Sequence, residues 1–212
     1  MSFVKRHTDK TIYIIGSSEA IDRLSDDFLC DKVSIGLNES FLRWDAVSAC
    51  LPTYIHVCEE AVTKYIINNY PEVVERIIAT SPTYPPETPV IMPDNIAGTI
   101  NMVLRGDYSK NYPEIKVNEA ISGIDNGYRG HGSVFHTAIF TALLMGANNI
   151  VTVGCGDGNG YAKEVMKIKH HTQTITDKAT WEKRFTERIP YGTERLVEAC
   201  LKNGIRITSY KT

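Results

Sequence analysis

Three observations predict an α/β domain with a mostly parallel sheet and helices on both faces. Short β-branched runs recur along the chain, segments with helical spacing separate them, and each run is almost continuously apolar. Continuous apolar runs suit parallel strands covered on both sides, whereas a strand with one wet face alternates apolar and polar residues. Strands alternating with helices then give the α/β class.

The expected strands are TIYIIG (11–16), KVSIGL (32–37), TYIHVC (53–58), TPVIM (88–92), NIVTVG (149–154) and IRITSY (205–210). The expected helices are EAIDRLSDDFL, EEAVTKYIINNYPEVVERIIA, DNIAGTINMVLR, VFHTAIFTALLMG and TERLVEACLKNG. Pro71 breaks the second of these, because proline lacks the N–H that an internal helical turn requires. Gly146 and Gly204 are helix stops, since glycine accepts the left-handed conformation that ends many helices. Residues 106–132 are glycine-rich and mostly polar, and residues 158–180 have no strong period. Long irregular connections in compact domains commonly carry function, so both are expected as lid segments.

A chain of 212 residues, 42% hydrophobic and 23% charged, is long enough to bury one core, and one domain over residues 1–212 is expected. With 23 Lys and Arg against 25 Asp and Glu, no overall field exists to hold a polyanion. The five cysteines, at 30, 50, 58, 155 and 200, form no C-x-x-C pair. Neither a disulfide framework nor a structural zinc site is expected, and a reducing, cytoplasmic setting follows. The apolar run after the basic N-terminus is too short for a signal core or a membrane span.

In an open parallel sheet, ligands bind beyond the carboxyl ends of the strands, where turns and helix N-termini present free N–H groups. Gly16, Ser17 and Ser18 follow the first strand. Glycine admits close backbone approach and serines can hold a phosphate, although Ser18 as a plain cap is the simpler reading. Asn38 follows the second strand and offers donors and an acceptor suited to a base or ribose, or else simply forms a turn. Gly132 and Ser133 open the LLMG helix, and Gly154 to Asp157 follow the fifth expected strand. All four groups fall on one edge of the sheet.

Residues 154–158, GCGDG, also look like the glycine loop of an S-adenosylmethionine methyltransferase. That loop belongs after the first strand of a nucleotide half-sheet, with an acidic ribose ligand on a later strand. Only 55 residues follow Asp157, so this reading is an alternative. No metal is expected: Asp157-Gly158-Asn159-Gly160 lacks the remaining ligands of a calcium loop, and Cys155 with His170 and His171 lacks a second cysteine at ligand spacing.

The order GSS, GLNES, then GHGSVFHTAIFTALLMGANNIVTVGCGD and a closing ACLKNGIRITSY resembles a superfamily of bacterial sialyltransferases and hydroxymethylpterin-pyrophosphokinase-like relatives. The likeness is best from His131 to Asp157. It implies a Rossmann-like fold of the glycosyltransferase A type and a CMP-sugar or other pyrimidine nucleotide-sugar donor, bound as substrate with no cofactor and no metal. It further implies donor contacts from Gly16, Ser17, Ser18, Asn38, Ser133 and Asp157, and a histidine base in the lid after the G-x-D strand. The first loop departs from the family pattern, reading GSSEA without the second Gly and the Pro.

Such a transfer needs a base for the acceptor hydroxyl and fixed donors for the leaving phosphate, and histidine titrates in the right range. His170 and His171 stand in the expected region, with Tyr161, Lys167 and Lys169 as phosphate contacts; His131 at the helix start is the rival base. His56 and His136 fall within expected elements and are read as structural. Asp45, Glu59 and Glu60 are read as surface charges or caps. The alternatives to a glycosyltransferase are the methyltransferase, a pyrophosphoryl transferase and a nucleotide-binding module without catalysis. The acceptor is not specified, and self-association is expected because so short a chain has little surface for a separate acceptor domain.

Overall fold

A computed structural model describes residues 5–57, 60–80, 102–104, 133–155, 160–172 and 189–211. Seven strands form one sheet: β1 (Thr11–Ile15), β2 (Val33–Leu37), β3 (Tyr54–Val57), β4 (Ile77–Thr80), β5 (Met102–Leu104), β6 (Asn149–Val153) and β7 (Arg206–Ser209). Their order is β5-β4-β3-β2-β1-β6-β7, and every pairing is parallel. The helices are α1 (Leu42–Asp45), α2 (Glu60–Asn69), α3 (Val134–Leu144), α4 (Lys163–Thr172) and α5 (Ile189–Lys202).

Helices cover both faces, as the apolar strands require. On one face Ile12, Ile14, Ile35, Leu37 and Ile150 pack beneath Ala138, Phe140 and Leu144 of α3 and Leu196 of α5. Helix α3 is apolar almost all round, and such a helix is stable only when surrounded; it lies across β1, β2 and β3 with α5 beside it. The other face is covered by α1, α2 and α4, where Trp44, Ile66 and Val165 meet Ile15, Ile55 and Val153.

Several expectations change. Residues 77–80, expected to continue a helix after Pro71, form β4 instead. Pro71 opens a short 3-10 turn that ends at Arg76, and the apolar Ile77 and Ile78 then pair with β3. DNIAGTINMVLR was expected to be helical, yet Met102–Leu104 is the edge strand β5, because ladder bonds to β4 outweigh local propensity. TPVIM lies outside the described residues. EAIDRLSDDFL supplies only a 3-10 turn over Glu19–Arg23. Residues 163–172, expected within a lid, are helix α4, whose Val165 is fully buried; the lid expected at 106–132 lies outside the described residues.

Cys30 and Cys50 are joined by a disulfide, contrary to the expectation drawn from spacing. Cys155 and Cys200 are free thiols. Among the described residues no helix is long and apolar enough to cross a membrane.

Candidate functional site

The strand order reverses between β1 and β6. Strands β2 to β5 extend the sheet from one side of β1, and β6 and β7 extend it from the other. Ligands of open α/β sheets bind in the crevice at the carboxyl ends of the strands at such a switch point; here the segments that leave β1 (Ile21, Leu24) and β6 (Ala162, Val165) pack together on one face. Gly16 leaves β1 and Gly154 leaves β6 at this point.

The two turns touch. A Cβ on Gly16 would collide with the carbonyl oxygen of Gly154, so the backbones meet closely only because residue 16 is glycine. Gly154 has φ +63, and a Cβ there would lie 2.7 Å from Ile21 Cγ2. The Gly16 N–H donates to the Val153 carbonyl (2.7 Å) and the Ser18 N–H to the Gly154 carbonyl (3.2 Å). Ser18 also forms an antiparallel bridge with half-buried Tyr161, while Glu19 N–H donates to Gly160 O at 3.1 Å and Ala162 N–H to Ser17 O at 2.9 Å. The amides of Gly16, Ser18 and Glu19 therefore bind protein acceptors, and the Ser18 hydroxyl caps its own 3-10 turn by accepting from the Ala20 N–H.

Asn38 follows β2 on the same edge. The Ser17 hydroxyl donates to the Leu37 carbonyl at 3.3 Å, which ties the β1 turn to the β2 turn. Asn38 has φ +50, a left-handed conformation that asparagine tolerates better than most residues. Its Oδ1 is buried and accepts no hydrogen bond from the described residues. Glu39, next along the chain, is fully buried. Ser133 caps α3, its hydroxyl accepting from the Phe135 N–H at 3.2 Å. The first turn of α3 meets the first turns of α5 through His136 Nε2 and Thr193 Oγ1, 2.9 Å apart.

Gly16, Ser17, Ser18, Gly154 and Tyr161 are thus brought together by direct contacts, with Asn38 joined to them through Ser17 and Leu37. His131, Gly132 and Asp157 lie outside the described residues. His170 and His171 occupy the last turn of α4. That helix starts at the crevice, where the Lys163 N–H donates to Asp22 Oδ2 (3.0 Å), and its Ile168 packs against the cluster that holds Ile55, Val62 and Ile66. At 1.5 Å per residue, the rise from Lys163 to His170 is about 10 Å. Lys167, expected as a phosphate contact, forms an ion pair with Glu164 at 2.6 Å.

His56 also proves distinctive. Thr141 Oγ1 donates to the Thr137 carbonyl (3.0 Å) and therefore accepts from His56 Nε2 at 3.1 Å, since a hydroxyl has one proton. The other ring nitrogen, Nδ1, is a buried acceptor without a partner among the described residues. Burial lowers the His56 pKa to about 3, so the ring is neutral. Its position in the middle of the TYIHVC run was the one sequence sign that it faces the core.

Among the described residues no cluster of three or more His, Cys, Asp or Glu side chains is placed to hold a metal ion. No protein-family description matches the sequence. No curated protein matches it either. The fold is similar to that of the sialyltransferase CstII from Campylobacter jejuni, solved in complex with a substrate analogue, cytidine-5'-monophosphate. The TM-score is 0.50 at 10% identity, with 95% of this chain and 80% of that chain covered. At that identity the likeness bears on architecture: an α/β, Rossmann-like sheet of the kind a glycosyltransferase uses.

Proposed function

We propose that the chain is a glycosyltransferase that binds a pyrimidine nucleotide sugar at the β1/β6 crevice. The observation that carries this reading is the unpartnered, buried Asn38 Oδ1 at the rim of the crevice. A buried acceptor without a donor is costly, and an amino or hydroxyl group of a nucleotide satisfies it. Similarity to a sialyltransferase fold supports the class of reaction.

In the proposed reaction a histidine takes the proton of an acceptor hydroxyl, the acceptor oxygen forms a bond to the anomeric carbon, and the bond from that carbon to the donor phosphate breaks. The nucleotide leaves with the electron pair. Gly16 and Gly154 let the β1 and β6 turns pack together as the floor of the donor site, and the N-terminus of α3 at Ser133 favours the phosphate charge. Gly132, Asp157 and Tyr161 complete the donor contacts. The base is His131, His170 or His171. The rise of about 10 Å from the start of α4 to His170 argues for His131, which stands two positions before the α3 cap. No cofactor and no metal takes part, the setting is cytoplasmic, and a second copy of the chain supplies acceptor surface.

Thermal-shift measurements with CMP, CDP, UDP, GDP, ATP and S-adenosylhomocysteine test the ligand. A pyrimidine nucleotide at one hundred times Kd stabilises the fold by about 2.7 kcal/mol, raising Tm by about 5 to 11 °C. A shift with S-adenosylhomocysteine alone overturns the reading in favour of a methyltransferase. The place of His170 and His171 in the last turn of α4, a rise of about 10 Å from its start, favours one second reading: a nucleotide-binding module without turnover. Release of CMP from a CMP-sugar, lost in His131→Ala and kept in His170→Ala/His171→Ala, distinguishes the enzyme from the module.

A further inference from the structure

Cys30 lies in the turn before β2 and Cys50 in the segment before β3, so their bond sits at the edge of the sheet opposite the crevice. Cys30 is exposed and Cys50 half-buried. The two segments are also held without the bond. Ser34 N–H donates to Thr53 Oγ1 and Thr53 N–H to Ser34 Oγ, both at 3.1 Å, and Thr53 Oγ1 donates to the Lys32 carbonyl at 3.2 Å. Arg43 reaches from α1 to Asp26 at 2.8 Å and to the Leu24 carbonyl at 3.0 Å. With the sulfur bond cut, these contacts keep the two Cα atoms, 5.0 Å apart in the oxidised form, within reach of each other.

The other described cysteines are placed differently. Cys155 Sγ is hydrogen-bonded at 3.5 Å to the carbonyls of Ile14 and Val153, and Cys200 is fully buried, with its thiol pKa pushed up to about 12 by desolvation. The thiolate is the reactive form and must be accessible, so oxidation is directed to the exposed Cys30, with Cys50 within its reach.

We propose that Cys30 and Cys50 are a reversible thiol–disulfide switch, driven by small disulfides such as glutathione disulfide, that braces the segments leading into β2 and β3. One cysteine thiolate attacks a sulfur of glutathione disulfide, forming a mixed disulfide and expelling one glutathione thiolate. The second cysteine thiolate attacks the protein sulfur of that mixed disulfide, closing the Cys30–Cys50 bond and releasing the second glutathione. The protein loses two thiol protons and two electrons, and glutathione disulfide takes up both electrons. Excess glutathione reverses both steps. A switch of this kind is open in a reducing compartment and closed in an oxidising one, which reconciles a cytoplasmic setting with the bond.

The full chain, equilibrated in glutathione mixtures, quenched with acid, alkylated unfolded and mapped by mass spectrometry, tests the switch. Of five cysteines, closing the bond removes two, leaving Cys58, Cys155 and Cys200 open to alkylation. Cys30 and Cys50 become protected together as the mixture turns oxidising, and both return when it turns reducing. Protection of neither, pairing of either with another cysteine, or a bond that excess glutathione does not open in the folded protein overturns the proposal.

Stability provides a second readout. A bond across a sequence separation of 20 gives an oxidised Tm about 6 to 12 °C above the reduced one, and the gap is absent in Cys30→Ser/Cys50→Ser. An unchanged Tm on reduction, or a gap that persists in the double variant, overturns the brace. If the double variant does not fold, reversible loss and recovery of Tm in the wild-type chain decides the matter.

Discussion

At the scale of single residues, the crevice depends on two positions for opposite reasons. Gly16 is required by space, because any side chain there meets the Gly154 carbonyl. Gly16→Ala forces the two turns apart and costs about 1 to 3 kcal/mol, as overpacking does elsewhere, lowering the denaturant midpoint. A midpoint equal to that of the wild type would show that the turns separate freely. Asn38 is suited to its backbone but leaves an acceptor unpaired. Asn38→Gly keeps the left-handed conformation and removes that acceptor, so the unliganded protein keeps its Tm or gains slightly. Nucleotide affinity falls by about tenfold, the worth of one good hydrogen bond. Titration calorimetry separates the two effects; unchanged affinity removes Asn38 from the site. The pair Cys30 and Cys50 shows what residue-level reading misses: a separation of 20 positions gives no sign that two turns meet at neighbouring strands.

At the scale of elements, β1, β2, β3, β6, β7, α3 and α5 were legible because their periodicities are unmixed. TIYII and NIVTV are apolar enough to be covered on both faces, and they pair with each other in the centre of the sheet. β4 was hidden because Ile77 and Ile78 continue the helical spacing of the segment before Pro71, and only pairing with β3 reveals them as a strand. α4 was hidden by its polar face: Lys163, Met166 and Lys167 are exposed while Val165 is buried, a narrow apolar stripe within a stretch that ends in charges and histidines. The start of α3 was read correctly from Gly-Ser before an apolar run. Since the Ser133 hydroxyl accepts from the Phe135 N–H, Ser133→Ala is expected to cost about 1 kcal/mol, or about 2 to 4 °C in Tm. Ser133→Asp should restore it, and failure of the aspartate to do so would show that the cap contributes little.

At the scale of the whole molecule, the buried histidine sets how stability follows pH. His56 lies on β3 beneath α3, bonded to Thr141 and otherwise surrounded by the shared core, so protonating it places an uncompensated charge between sheet and helix. Its folded pKa of about 3 lies below the ordinary value of 6.5, so the unfolded chain binds the extra proton first. Stability from this group is complete above pH 6.5, declines as pH falls below it, and stops declining below about 3. Each pH unit within that window costs about 1.4 kcal/mol, so at pH 5 the loss is about 2 kcal/mol, or about 4 to 8 °C in Tm. His7, whose pKa is lowered first by burial and then by Arg6 and Lys10, acts in the same direction. It holds the N-terminal segment against the core through Tyr54, at 2.9 Å. His56→Gln keeps a neutral donor toward Thr141 and removes the titration, so its Tm varies less between pH 7 and pH 5 than that of the wild type. Equal slopes in the two proteins would mean that His56 finds water or a proton acceptor on protonation. The coupling of β3 to α3 would then not be what limits the fold in acid.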